Sequence, residues 1–529
     1  MKIAREPNKK VIARTIGLCL LCCLVGSGAW ALDSFFVGAR GQAMAGSNTA
    51  SVDDGSAQYY NPAAYGFFSY KDDNGERFGC DNNDLARKDW GLRLSTGMGI
   101  RMLGRIPDYL ETLSGVDMDA FSDGIDTTDP TGEAGKKDLQ NLIRITSALG
   151  GIDDEGNVMM VDFNIAAALT VKHFGIGMRG YFESVAWVEE LDSTNLGLDV
   201  TPAQVSNDIV SEAQTANYGP TAGAELNNYV IKNFNGAQVG KLSAAGLSAD
   251  AIKYLDFAAG QLDLPPEDID NAANLLEDVV NESGTGAGTS DIGQNKTRVS
   301  LRAFGLAEVP ISYGVPLSKH WSIGGNLKIM QGTVYANEVE VFDEDAEDAM
   351  AEAKDYSEDT INFGVDLGLM GRFKCFNFGV VGRNLNSPSF DGPENAPSGG
   401  SGPGTNNSDV TLDPQVQAGV AFIPFKTLVL EANVDLVTNK TIYDGYETKY
   451  LRAGAEWDIL RFLALRGGAY TNLEDDETGP VITAGLGVNF WLVRLDAGLA
   501  VSTDTITLEE TGDEVPKEIR GTVAASMDF

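Results

Sequence analysis

The sequence predicts an all-β fold, a transmembrane antiparallel β-barrel of about 14 strands, and three observations carry that expectation. Segment after segment alternates apolar with polar or small residues, the period of a strand with two unlike faces. The connections between these segments alternate long and short, as short periplasmic turns and long extracellular loops do. Aromatic residues gather at the segment ends, where amphipathic rings settle at a membrane interface.

The first element is a secretion leader. Lys2, Arg5, Lys9, Lys10 and Arg14 make a basic start, and Ile16 to Val25 is a short apolar core. Ala29-Trp30-Ala31 has the small-x-small pattern of a cleavage site, so residues 1–31 are expected to be a signal peptide cut after Ala31. So short a core cannot cross about 30 Å of hydrocarbon as a helix, and later in the chain no run of about 18 apolar residues appears. Losing the leader takes five basic and one acidic residue from totals of 39 and 76, which leaves a formal charge of −41. Such a surface repels phosphate backbones, so no nucleic-acid partner is expected. Of the cysteines, Cys80 and Cys375 remain, and an oxidising periplasm would permit a bridge between them.

Residues 32–90 precede the strands and are taken as a separate N-terminal segment. The barrel follows over 91–529. Its strands are expected near 91–104, 159–171, 174–187, 298–316, 321–337, 361–373, 375–385, 415–424, 426–437, 447–457, 461–471, 480–490, 491–502 and 518–529. In 426–437, Leu428, Leu430, Ala432, Val434 and Leu436 share one face, opposed by Val429, Glu431, Asn433 and Asp435. A charge on the lipid face costs up to about 2–4 kcal/mol, so the polar faces must turn inward. That places Arg372, Glu431, Asp435, Arg452, Glu456, Arg466, Arg494 and Asp496 in the lumen, with Lys328, Asp366 and Arg383. Arg466, Arg494, Arg452, Glu456 and Asp496 lie on adjacent strands and are expected to form ion-pair ladders.

Phe174, Trp321, Phe373, Phe376, Phe422, Phe425, Trp457, Phe462, Phe490 and Trp491 flank the short turns. Trp187, Tyr335, Tyr443, Tyr446, Tyr450 and Tyr470 lie near the long loops, and the two sets read as two interface girdles. The last strand ends on Met527 and Phe529, a terminal aromatic expected to serve the barrel-assembly machinery as an insertion signal. Residues 188–297 are too long for a bare connection. They carry helical patterns at Ile252, Leu255, Ala259, Leu262 and at Ile269, Ala272, Leu276, Val279, parted by Pro265 and Pro266. A helical extracellular insertion is expected there.

Enzymatic machinery is not expected. His173 and His320 are the two histidines, and both fall in short turns; no nucleophile elbow or zinc-binding His-Glu-x-x-His occurs. The reading is a non-enzyme with no catalytic residues, no metal and no cofactor, held in outer-membrane lipid of a Gram-negative cell.

Between leader and strands runs Gly38-Ala39-Arg40-Gly41-Gln42-Ala43-Met44-Ala45-Gly46-Ser47-Asn48-Thr49-Ala50, continuing through Asp53-Asp54 to Tyr59-Tyr60-Asn61-Pro62-Ala63-Ala64. This resembles the N-terminal motif of the FadL-like outer-membrane transporter superfamily, and its branch termed conjugal transfer protein TraF-like. The resemblance implies that residues 32–90 fold back as a hatch, or plug, inside the lumen, with Asn61, Pro62, Ala63 and Ala64 at its heart. It implies a passive uptake channel for small, hydrophobic solutes, gated by that hatch. The alternative is a non-transporting outer-membrane scaffold for conjugation, secretion or cell-surface interaction. The large helical insertion, the acidic loops and the lack of a basic cluster for a carboxylate headgroup set this chain apart from long-chain fatty-acid transporters.

Overall fold

Fourteen strands close into one antiparallel barrel in the computed structural model. The structure describes residues 36–69, 89–106, 108–109, 112, 133–152, 154, 156–192, 207, 209–210, 229–262, 264–285, 296–340, 356–394, 409–443, 446–459, 462–475, 478–490, 493–507 and 514–528. The leader with its cleavage after Ala31, Cys80 of the expected disulfide, Trp491 and Phe529 lie outside these residues.

The strands in chain order are β1 (Trp90–Leu103), β2 (Val158–Val171), β3 (Phe174–Glu190), β4 (Arg298–Pro316), β5 (Trp321–Glu340), β6 (Ser357–Phe373) and β7 (Phe376–Arg383). A two-residue pair follows, β8 (Ser389–Phe390) with β9 (Val410–Thr411), then β10 (Gln415–Phe425) and β11 (Leu428–Asp435). A second pair, β12 (Asn439–Lys440) with β13 (Glu447–Thr448), precedes β14 (Tyr450–Ile459), β15 (Leu463–Asn472), β16 (Val481–Phe490) and β17 (Val493–Ser502). A third pair, β18 (Thr505–Thr507) with β19 (Glu514–Pro516), leads into β20 (Glu518–Asp528). The small pairs stand outside the barrel ladder. One boundary therefore differs from expectation: 447–448 pair with β12 rather than opening the strand that begins at Tyr450.

Closure comes from β1 against β20, in register from Gly91↔Asp528 to Arg101↔Glu518. It leaves the ladder without an open edge, the condition for backbone to cross hydrocarbon as strands. Alternation sets the faces. On β5 Ile323, Leu327 and Ile329 are exposed while Asn326, Lys328 and Met330 are buried, and the same contrast recurs around the wall. The outward apolar band and inward polar set are those of an outer-membrane barrel.

Of the two aromatic sets, the one at the short turns faces outward, with Phe425, Trp457, Phe462 and Phe490 each more than half exposed. The other corrects the expectation of a second girdle. Trp187, Tyr443, Tyr446, Tyr450 and Tyr470 are all buried, and only Tyr335 stands partly exposed. Strand parity explains two of them: Tyr450 shares a face with inward Arg452, and Tyr470 with inward Arg466. Tyr443 comes from a loop and packs on Trp187 at 5.8 Å between ring centroids.

Helices crown the long-loop end: α3 (Glu133–Ile152), α4 (Gly236–Ala244), α5 (Ala249–Leu262) and α6 (Pro266–Thr285), two shorter helices of the N-terminal segment coming before them. The first lies outside the expected helical insertion, and the second lies inside it, ahead of the two helical patterns. Ile143, Leu242, Leu255 and Leu276 meet in one core shared by all four. Asp256, fully buried, accepts hydrogen bonds from the Tyr229 hydroxyl at 2.8 Å and the Asn233 and Phe234 amides at 2.7 and 2.6 Å, so it pins the approach strand to α5. Arg105, just past β1, grips both oxygens of Asp268 and joins this region to the barrel rim.

Candidate functional site

The chain from Phe36 to Phe68 packs against the inner wall, and every residue in it is buried except Asp53. Its regular pieces are short: α1 (Ala39–Ala43), α2 (Ala57–Tyr60) and a 3-10 turn over Pro62–Phe67. Small side chains let backbone meet backbone. A Cβ on wall residue Gly324 would collide with the carbonyl of Pro62, and one on Gly368 with the Asn61 side chain.

Asn61 organises the turn in three directions. Its Oδ1 accepts from the Ala63 amide at 3.1 Å, capping the turn that Pro62 opens. Its amide nitrogen donates to the carbonyls of Thr49 and Leu369 at 3.0 and 3.1 Å, one within the segment and one on β6. Ser322 of β5 donates to the Ala63 carbonyl at 2.7 Å, and Ala64 is buried beside it. The exit is pinned as well, since His173 Nδ1 donates to the Tyr65 carbonyl at 2.8 Å. Thus a histidine of a short turn holds the segment.

Buried charges tie the other end. Arg40 of α1 places Nε 2.9 Å from Glu456, whose carboxylate also meets Arg466 at 2.5 Å and Arg494 at 3.7 Å. Asp496 accepts from Arg466 Nη1 at 2.9 Å and Arg494 Nε at 3.1 Å. Burial opposes the Arg40 charge, but Glu456, Asp53 and Asp54 together outweigh it and hold the guanidinium protonated well above its ordinary range. Arg452, expected in this ladder, turns instead to Asp435 at 2.6 Å. Register sets it opposite Asn433, one pleat away from Asp435. Glu431 accepts from the Ala50 amide at 2.8 Å, and Arg372 lies over the Phe67 ring, 5.3 Å from its centroid. Ten of the eleven expected lumen residues are buried, and the eleventh, Arg494, has 29% side-chain exposure.

Other inward charges follow the same parity, among them Lys328 and Asp366, which the alternation already turns inward. Arg93 pairs with Asp54 of the segment. Lys328 meets Asp366 at 2.9 Å and Glu308 at 3.6 Å, and Arg179 meets Glu308 at 2.8 Å. Towards the long loops, Glu518 accepts from Arg101 at 2.9 Å and Arg520 at 2.6 Å, and Arg520 reaches Asp162 at 2.7 Å. Arg179 and Arg520 could have been found by extending the alternation through β3 and β20. Arg40 and Asp54 carry no periodic signal.

Beyond the segment the inner wall turns apolar. Tyr181, Val185, Trp187, Phe304, Leu306, Met330 and Val334 join Phe390 of β8 in one buried cluster. Beside the segment, β3–β4 pairing passes from Ile176↔Ile311 to Arg179↔Glu308 and skips Gly177 and Met178, opposite Val309 and Pro310. Pro310 has no N–H to give, and Gln58 packs against Gly177 from inside. A cavity of about 10 Å³, room for one water, lies between Gln58, Arg93 and Arg179. Met527, of the expected insertion signal, pairs with Leu92 in the closing ladder. Among the described residues no group of three His, Cys, Asp or Glu side chains could hold a metal ion.

Among solved structures, the chain is similar to the toluene transporter TbuX of Ralstonia pickettii, with 10% identity, 93% of this chain and 98% of that one covered, and a TM-score of 0.43. It is also similar to the P. putida toluene transporter TodX, at 10% identity, 94% and 99% coverage and a TM-score of 0.41. A Pseudomonas aeruginosa FadL homologue gives 9%, 95%, 100% and 0.38 in the same order. Comparison with curated proteins finds no match. The family described as F plasmid transfer operon, TraF, protein matches over residues 58–435, from the end of the N-terminal segment through β11. With most of its length inside that match, the chain belongs to the TraF family of the F plasmid transfer operon.

Proposed function

We propose that the protein is a passive outer-membrane uptake channel for small, hydrophobic solutes, with the N-terminal segment as its hatch. The observation that carries this reading is the division of the lumen. Buried apolar and aromatic side chains of the wall and loops pack on the long-loop side, continuous with the apolar face of a separately tethered segment at the wall's other end. A solute entering from outside would have to displace these apolar side chains before it met the hatch at Tyr59 and Asn61. The unpaired seam at Gly177–Met178, backed by Gln58, is where the wall offers least resistance beside the hatch. Nothing in this scheme draws on a cofactor or an energy source.

Uptake of an apolar dye by proteoliposomes tests the reading. Wild-type protein should admit the dye, and Asn61→Ala should admit it faster by freeing the turn from Thr49 and Leu369. If neither wild type nor a chain lacking residues 32–66 passes any dye, the channel reading fails.

A second reading, a non-transporting scaffold for conjugation, secretion or cell-surface contact, is favoured by the helical region, whose core is its own. Removing 229–285 should then abolish the surface function while leaving the barrel assembled. Full function without those residues would count against the scaffold.

A further inference from the structure

We propose that the small cavity between the N-terminal segment and strands β1 to β3 is a halide site, where a bound chloride ion clips the segment to the wall. The cavity lies over two small inward side chains of β2, Ala166 and Ala168. Register sets Ser95 and Arg93 of β1 beside these alanines on one side, and Arg179 of β3 beside Ala166 on the other. Gln58 and Tyr59 of the segment close the space from the lumen. A larger residue at either alanine would fill it. An ion held here therefore touches segment and wall together.

The unmatched atoms around the cavity are donors. Gln58 Nε2, Arg93 Nη2, Arg179 Nη1 and Ser95 Oγ have no hydrogen-bond partner among the described residues, and each of these residues is at most 6% exposed. Three of the four are N–H groups that can only donate, and the hydroxyl can turn to donate as well. A water would bring two hydrogens of its own to a set whose sole acceptor is that hydroxyl; an anion brings none. Charge agrees. Arg93 pairs with Asp54, Arg179 with Glu308, and Lys328 with Glu308 and Asp366. Arg383 lies 4.4 Å from the Tyr59 ring centroid, with Arg179 5.5 Å from the same centroid, and it gives its Nε to the Tyr59 carbonyl. The group thus sets four cations against three carboxylates, and one bound anion balances it. Size narrows the choice. At about 10 Å³ the cavity admits one body near the size of water, so sulfate, phosphate and carboxylates are too large and a halide fits.

The site stands whether or not the barrel passes solutes, and its test is made on the folded barrel in detergent. Crystals grown in sodium bromide should show an anomalous peak within bonding distance of Gln58 Nε2, Arg93 and Arg179. Amide exchange over residues 55–61 should be slower in sodium chloride than in sodium sulfate of equal ionic strength, by about tenfold with chloride near ten times its dissociation constant. Gln58→Glu puts a carboxylate beside the guanidinium groups and supplies the anion from within the chain. In that variant the bromide peak should vanish, and exchange should be slow in both salts. A wild-type cavity that holds no bromide overturns the site, and equal exchange in chloride and sulfate overturns the clip. A chloride effect that survives in Gln58→Glu would place the ion elsewhere and count against both. If Gln58→Glu does not fold, the wild-type bromide peak and the salt comparison decide.

Discussion

The two ends of the lumen are closed in different ways. At the short-turn end, the N-terminal segment is held by charge and by directed hydrogen bonds: Arg40 on Glu456, Arg93 on Asp54, Asn61 on Leu369. At the long-loop end, the loops contribute apolar and aromatic side chains such as Phe390, Val410 and Tyr443 to a buried cluster, while the ion pairs there, Arg101 and Arg520 on Glu518, lie within the wall itself. Removing one partner of a buried ion pair leaves an uncompensated charge, whereas withdrawing an apolar ring leaves only unfilled space. The difference teaches which closure is built to stay and which can yield. Directional, charge-matched contacts fix a single seat; apolar packing tolerates exchange of one ring for another apolar body.

The contrast breaks most sharply at Glu456, which serves Arg40, Arg466 and Arg494 together. Glu456→Gln should cost about 3–5 kcal/mol, since it strands buried guanidinium groups. The thermal transition followed by gel mobility of heated samples should fall clearly, and an unchanged transition would contradict the anchoring role. Next in size, Gly368→Val should evict the Asn61 side chain and speed amide exchange from Thr49 to Phe67, with β-type circular dichroism retained.

Asn61→Ala follows, with a loss of about 1–3 kcal/mol in local stability from unmet carbonyls and the uncapped turn. Hydrogen exchange confined to the N-terminal segment is the expected signature. The smallest effect belongs to the mouth: Tyr443→Phe removes one bond to the Gly156 amide and should cost about 0.5–1.5 kcal/mol. If that change loosened the mouth more than Asn61→Ala loosens the segment, the proposed division of labour would be reversed.

Much of this was legible in the sequence, and the reason is the period of two. It assigned all fourteen strands and turned Arg466 and Asp496 inward, because a charge in lipid is costly enough to decide a face. It failed where a residue's partners come from loops. Tyr443 and Tyr446 sit where a girdle would be, yet they fold into the lumen against Trp187 and Arg101. Tyr450 and Tyr470 were open to the parity argument and were assigned instead by nearness to the loops. Helix α3 gives little signal alone because its apolar face is completed by residues about a hundred positions later. For the segment, the Asn61-Pro62 pair was visible, but its partners Thr49 and Leu369 offer backbone carbonyls, which no side-chain pattern announces.

The bond between Arg40 and Glu456 spans 416 positions, and Gln42 donates to the carbonyl of Arg520, 478 positions on. The part of the segment made first is therefore seated by strands made last. Arg40 cannot meet Glu456 until β14 is in place, nor Gln42 the Arg520 carbonyl until β20 is. Enclosure of the segment and its tethering thus depend on the same C-terminal strands. A chain stopped short of β14 would lack both the wall and the counter-charge, leaving its earliest residues nowhere to dock.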